Sequence, residues 1–123
     1  VIETTPHLNI LSRLRIPTEQ EFGYEHVLNQ FKKLVTLLIE ETGKKPLRIG
    51  IGTPGIIDFT THLIKNSNTK CIIGKPMKED LQQLLGVEVR MANDANCFAM
   101  AESLIWSRNK FMGVLNFTYK CNV

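Results

Sequence analysis

Cysteine is scarce in this chain: Cys71, Cys97 and Cys121 are the only three among 123 residues, widely spaced and odd in number. They form no CxxC pair and no cluster of ligand spacing, which excludes a disulfide framework and a zinc site. A reducing cytoplasm is the compartment this usage fits. Histidine is just as sparse. His7, His26 and His62 stand far apart, so each reads as a surface or packing residue rather than a ligand or base. No apolar run approaches the roughly 20 residues of a membrane span, and no signal-peptide pattern opens the chain, so no membrane partner is expected. Charge of one sign is also lacking. The net charge is +3, and the lysines are dispersed as Lys32-Lys33, Lys44-Lys45, Lys75 and Lys78. That pattern supplies no basic patch for nucleic acid. Internal repeats, low-complexity tracts and linkers are absent.

What is present is an ordinary globular composition, 43% hydrophobic and 22% charged, long enough for one domain with a core and too short for two. The chain opens on Val1 within a strand-like run and closes at Val123 after another, so both ends are expected to lie inside a larger fold. Two short extended segments flank Pro6-His7, and Leu11 to Ile16 alternates like a half-buried strand that Pro17 ends. From Tyr24 to Thr42 the period changes. Tyr24, Val27, Leu28, Phe31, Leu34, Val35 and Leu38 follow the i, i+3, i+4 rhythm of an amphipathic helix, and Gly43 is a natural stop. Leu47 to Ile51 reads as a short buried strand. Pro76 suits the first turn of a second helix with Met77, Leu81, Leu84 and Leu85 inward and Gly86 at its end. Val87 to Met91 is the next strand, and Asp94 starts a third helix with Phe98, Ala101, Leu104 and Ile105 facing in. Phe111 to Phe117 reads as one more strand. Strand, helix, strand alternation predicts an α/β layer architecture.

Three places carry chemistry. Asn93-Asp94 stands where a strand gives way to a helix, the kind of corner at which α/β proteins bind small ligands. Helix N–H groups and the dipole favour a carboxylate there, fit to accept a proton; the same position suits an ordinary N-cap aspartate. Gly50, Gly52 and Gly55 do not form a dinucleotide GxGxxG, because no clear helix follows Pro54-Gly55, and no GxxxxGK[ST] loop occurs. They read instead as glycines that let a strand end approach other backbone closely, with Pro54-Gly55 as the turn. Asn66, Ser67 and Asn68 gather amides and a hydroxyl, a set able to match the hydroxyls of a hexose and equally common in plain loops.

Taken together, Ile49 to Asp58, the helix-strand unit from Pro76 to Val89 and the run from Asn93 to Glu102 closely resemble the sugar-kinase branch of the ROK family (repressors, open reading frames, kinases), with the N-acetylhexosamine kinases and glucokinases nearest. The resemblance implies a single partial domain over residues 1–123, a piece of the N-terminal lobe of the actin-like, ribonuclease-H-like ATPase fold, with a mixed sheet and flanking helices. It implies phosphorylation of a hexose or N-acetylhexosamine, most often at the 6-hydroxyl, with Asp94 as catalytic base. Asn93, Asn68 and Gly55 would be the substrate-binding residues. Magnesium-ATP would serve the intact protein, which would be a cytoplasmic homodimer. No nucleotide-binding residue is expected within this chain, because the family's Asp-x-Gly-Gly-Thr strand-turn, its second Gly-Thr-Gly loop and its zinc motif have no counterpart here. Little kinase activity is therefore expected of the 123 residues alone. Two other readings stay open: the sugar-sensing domain of a ROK transcriptional repressor, and a non-catalytic sugar-binding domain.

Overall fold

A computed structural model describes residues 2–3 and 9–106, with side chains from 10 to 100. The described residues divide into two compact units. One comprises those up to Ile49 together with Glu79–Val89; the other comprises Gly50–Lys78 and those from Arg90 onward.

In the first unit, β1 (Ile2–Glu3) pairs antiparallel with β2 (Asn9–Ile10), Ile2 opposite Ile10 and Glu3 opposite Asn9. A single 3-10 turn, Gln20–Phe22, leads into α1 (Tyr24–Thr42). The helix stops where the sequence says it should. Gly43 takes φ +66° and its N–H returns to the Ile39 carbonyl at 2.8 Å, the left-handed cap that glycine adopts at little cost. Val27 and Leu28 are buried, whereas Tyr24, Phe31, Leu34, Val35 and Leu38 are half-buried. Gln30 is buried beside them, which the apolar stripe does not foretell. Its amide is satisfied: Nε2 donates to the Pro17 carbonyl and to Glu19 Oε2, each at 3.0 Å, and the same carboxylate oxygen meets His26 Nε2 at 2.5 Å. Burying an amide is tolerable only with such partners. The segment before the helix is thereby tied to it.

The second helix, α2 (Met77–Leu85), places Leu81 in this core with none of its surface exposed, alongside Val89. Tyr24 donates its hydroxyl to Asp80 Oδ2 at 2.6 Å. Burial first, and then the neighbouring carboxylate, push the Tyr24 pKa far above its ordinary value, so the phenol stays a donor at any physiological pH. Gln82 Oε1 accepts the Val89 N–H at 3.2 Å, joining α2 to the strand that follows.

In the second unit, Ile51, Ile64, Ile72 and Met77 form the apolar core. β3 (Arg48–Thr53) pairs with β6 (Glu88–Asn93). β4 (Ile56–Ile57) and β5 (Ile64–Lys65) make an antiparallel hairpin, Ile56 opposite Lys65 and Ile57 opposite Ile64. Ile64 also exchanges backbone bonds with the residues before α2: its carbonyl accepts from Gly74 N at 2.8 Å, and its N–H donates to the Lys75 carbonyl at 3.3 Å. α3 (Asp94–Trp106) follows β6 without an intervening loop.

Four sequence expectations need correction. Leu11 to Ile16 is not a strand; alternation supplies two faces but not a partner, and no described strand pairs with it. Leu47 is 92% exposed and β3 begins at Arg48, with burial confined to Ile51 and Thr53, so it is a half-buried strand. Pro76 lies just before α2 rather than in its first turn. Phe98, expected inward on α3, is 47% exposed. Ala95, Cys97, Phe98, Ala99 and Met100 make the start of that helix apolar on several sides, so its period singles out no face. The side chains of Ala101, Leu104 and Ile105, and the strand expected at Phe111 to Phe117, lie outside the described residues.

Candidate functional site

The corner between β6 and α3 is built from backbone demands. A helix start leaves N–H groups without intrahelical partners. Asn93 Oδ1 accepts one of them, Ala95 N, at 3.0 Å, and Asp94 Oδ1 shares the same N–H at 2.8 Å. Asn93 is therefore the capping residue, and Asp94 is the first residue of the helix rather than its N-cap. That refines the sequence reading, because an amide does the capping and the carboxylate is not needed for it. Asp94 is half-exposed, and its second oxygen has no hydrogen-bond partner among the described residues.

The other end of the Asn93 amide reaches across the unit. Nδ2 donates to the Gly55 carbonyl at 2.7 Å, 38 residues away in sequence. Gly55 is buried at φ +121°, and a Cβ built there would stand 2.9 Å from the Lys65 carbonyl and 3.0 Å from Ser67 Cβ. Both the backbone angle and the crowding demand glycine. The expectation of close backbone approach is thus met at Gly55, whereas a Cβ at Gly50 would meet nothing within 4 Å.

Gly55, Asn93 and Asp94 are accordingly brought together, and Ser67 closes over the Gly55 turn. Ser67 is buried, and its Oγ accepts Thr69 N at 3.1 Å, so it shapes the loop from within. Asn66 takes φ +52°, a conformation asparagine tolerates better than most residues. Asn68 follows Ser67 in that loop, with its side chain exposed. The chemistry available at this corner is a carboxylate oxygen beside amide and backbone hydrogen-bonding groups. Among the described residues no three His, Cys, Asp or Glu side chains gather as metal ligands would.

One supporting element escaped the sequence reading. Asp58, at the mouth of the β4–β5 hairpin, accepts Thr60 N at 2.9 Å and Thr61 N at 2.8 Å through Oδ1 and pairs with the Lys65 ammonium through Oδ2. An aspartate followed by Thr60-Thr61 is a side-chain-to-backbone turn signal that could have revealed it. The hydrogen bond from Lys65 first, then those from the Thr61 and Thr60 N–H groups, hold the Asp58 carboxyl well below the usual carboxylate range. Because the folded state lowers this pKa, the ionised clamp stabilises fully above that range and is lost as pH falls below about 4. Asp58→Asn is expected to flatten the acid limb of stability against pH, and Lys65→Met to move the Asp58 titration upward. Carboxyl chemical shifts and denaturation midpoints measured from pH 2 to 6 would check both, and unchanged acid limbs would count against the clamp.

Comparison with known proteins places these observations among relatives. The model of the ROK family matches residues 2–118. The chain is 37% identical over 101 residues to an N-acetyl-D-glucosamine kinase of Haemophilus influenzae, covering 82% of this chain and 33% of that protein. It is likewise 37% identical over 89 residues to the enzyme of the same name from Pasteurella multocida, covering 72% of this chain and 29% of that protein. Among solved structures, a ROK hexokinase from Thermus thermophilus superposes with a TM-score of 0.67 at 32% identity, covering 80% of this chain and 32% of that one. The chain spans about a third of the length of the curated relatives it matches. The expected fold class is met: the elements are α/β and match part of the N-terminal lobe of an actin-like ATPase fold.

Proposed function

Because this chain belongs to the ROK family, we propose that it supplies the sugar-side half of an ATP-dependent sugar kinase acting on a hexose or N-acetylhexosamine, with N-acetylglucosamine the first candidate. The names of the similar proteins support that order of substrates. The observation that carries the reading is the corner itself: Asp94 begins α3 with one carboxylate oxygen without a partner among the described residues, next to an asparagine bound to the Gly55 turn.

The chemistry follows from that placement. The sugar 6-hydroxyl attacks the γ-phosphorus of ATP, a new O–P bond forms, the bond to the bridging oxygen breaks, and ADP departs. Asp94 accepts the hydroxyl proton, while Asn68 and the Gly55 turn line the sugar. Phosphoryl transfer through a loose transition state gains most from such positioning and charge placement. Magnesium would travel with the phosphates, the usual arrangement for that ion in kinases. The phosphate-binding groups are assigned outside these residues.

Sugar-dependent ADP release by the full-length gene product tests the reading, with N-acetylglucosamine, N-acetylmannosamine, glucose and mannose as substrates. Turnover with at least one sugar and a 6-phosphate product by phosphorus NMR is the expected result. No sugar-stimulated release from folded protein would sink it. Calorimetric sugar binding without turnover would point to a sensor instead.

A further inference from the structure

We propose that Asn93 is a positioning residue that makes the Gly55 turn and the first turn of α3 one rigid piece, and so sets where Asp94 meets the sugar hydroxyl. The inference rests on the kinase reading above. Its ground is the planar Asn93 amide, which is engaged at both ends. Nδ2 donates to the Gly55 carbonyl at 2.7 Å and Oδ1 accepts Ala95 N at 3.0 Å. Two bonds from one rigid group leave the side chain no rotational freedom. Gly55 packs so closely against the Lys65 carbonyl and Ser67 that no Cβ fits there, and this turn is the amide's anchor. Asp94 is the next residue, and its Oδ1 shares the Ala95 N–H with Asn93. Any shift of the Gly55 turn therefore passes through one side chain into the backbone that carries the base.

A misplacement near 1 Å can cost on the order of 100-fold in rate, so the tie matters more to turnover than to folding. Asn93 keeps one further N–H and one further lone pair, enough to touch a sugar hydroxyl directly. The experiment separates the two roles.

Asn93→Asp keeps the capping oxygen and the side-chain shape but sets an oxygen against the Gly55 carbonyl. In the full-length gene product, kcat per folded molecule is expected to fall by about 10–100-fold. The KM for ATP should stay unchanged, and normalising kcat to the folded fraction read by circular dichroism removes any contribution from loss of folded protein. The loss should persist for the parent sugar and for each monodeoxy analogue that keeps the 6-hydroxyl to be phosphorylated. A loss that vanishes for one analogue would assign the amide to that hydroxyl and overturn the proposal, as would wild-type kcat. Should Asn93→Asp not fold, Asn93→Ser, which caps through its hydroxyl and cannot reach Gly55, carries the same comparison. Failure of both to fold also overturns it, because the tie would then serve the whole fold. A wild-type protein without sugar-dependent turnover sinks the kinase reading; an active wild type with an equally active Asn93→Asp sinks only this inference.

Discussion

Asp94→Asn is expected to lower kcat of the full-length gene product by about 100- to 10,000-fold, the usual worth of a general base. Sugar affinity and stability should change little. The structure explains why the fold should tolerate the change. Helix capping belongs to Asn93, whose Oδ1 holds Ala95 N, and an asparagine at 94 still presents an oxygen to the same N–H. What the substitution removes is the carboxylate charge and its capacity to take a proton. Steady-state kinetics with calorimetric sugar titration would separate these effects. A variant that binds sugar and turns over at the wild-type rate would remove Asp94 from the mechanism. One that no longer folds would instead make the carboxylate structural.

The second large effect is expected at Gly55. Gly55→Ala meets two independent costs: about 1–3 kcal/mol for holding an L-residue at a glycine backbone angle, and about 1–3 kcal/mol for forcing a methyl group into a filled site. The obstacles at 2.9 and 3.0 Å are a backbone carbonyl and a Cβ rather than the end of a flexible side chain, so little can give way. Any relief must move β5 and the Ser67 loop or else the Gly55 turn, and the turn carries the carbonyl that Asn93 holds. The variant should therefore unfold at clearly lower denaturant than wild type and, where folded, lose turnover along with it. Gly50→Ala is the control, since a Cβ there has open space. A Gly55→Ala midpoint matching that of Gly50→Ala in chemical denaturation would refute the argument.

The elements with a strong local cause were legible without coordinates. α1 carries a long periodic stripe closed by glycine, and the helix lies where that stripe places it. The β6–α3 corner was legible because a polar Asn-Asp pair interrupts apolar periodicity just where a strand ends. Leu11 to Ile16 misled because a strand depends on a neighbour that its own residues do not encode. Phe98 misled because an all-round apolar helix has no preferred face. Gln30, Asp58 and Lys65 went unnoticed since their importance lies in partners elsewhere in the chain.

The sequence by itself determined the α/β class, α1 and the neighbourhood of Asp94, because helix periodicity, glycine stops and a strand-to-helix junction are all local. Only the tertiary structure decided that Asn93 rather than Asp94 caps the helix, that its amide grips Gly55, and that Ser67 and Lys65 leave Gly55 no room. The grip on Gly55 and the crowding around it are contacts between residues 10 or more apart, and the cap, though local, is set by the amide that grip orients. Their energies depend on distances that no single stretch of sequence contains.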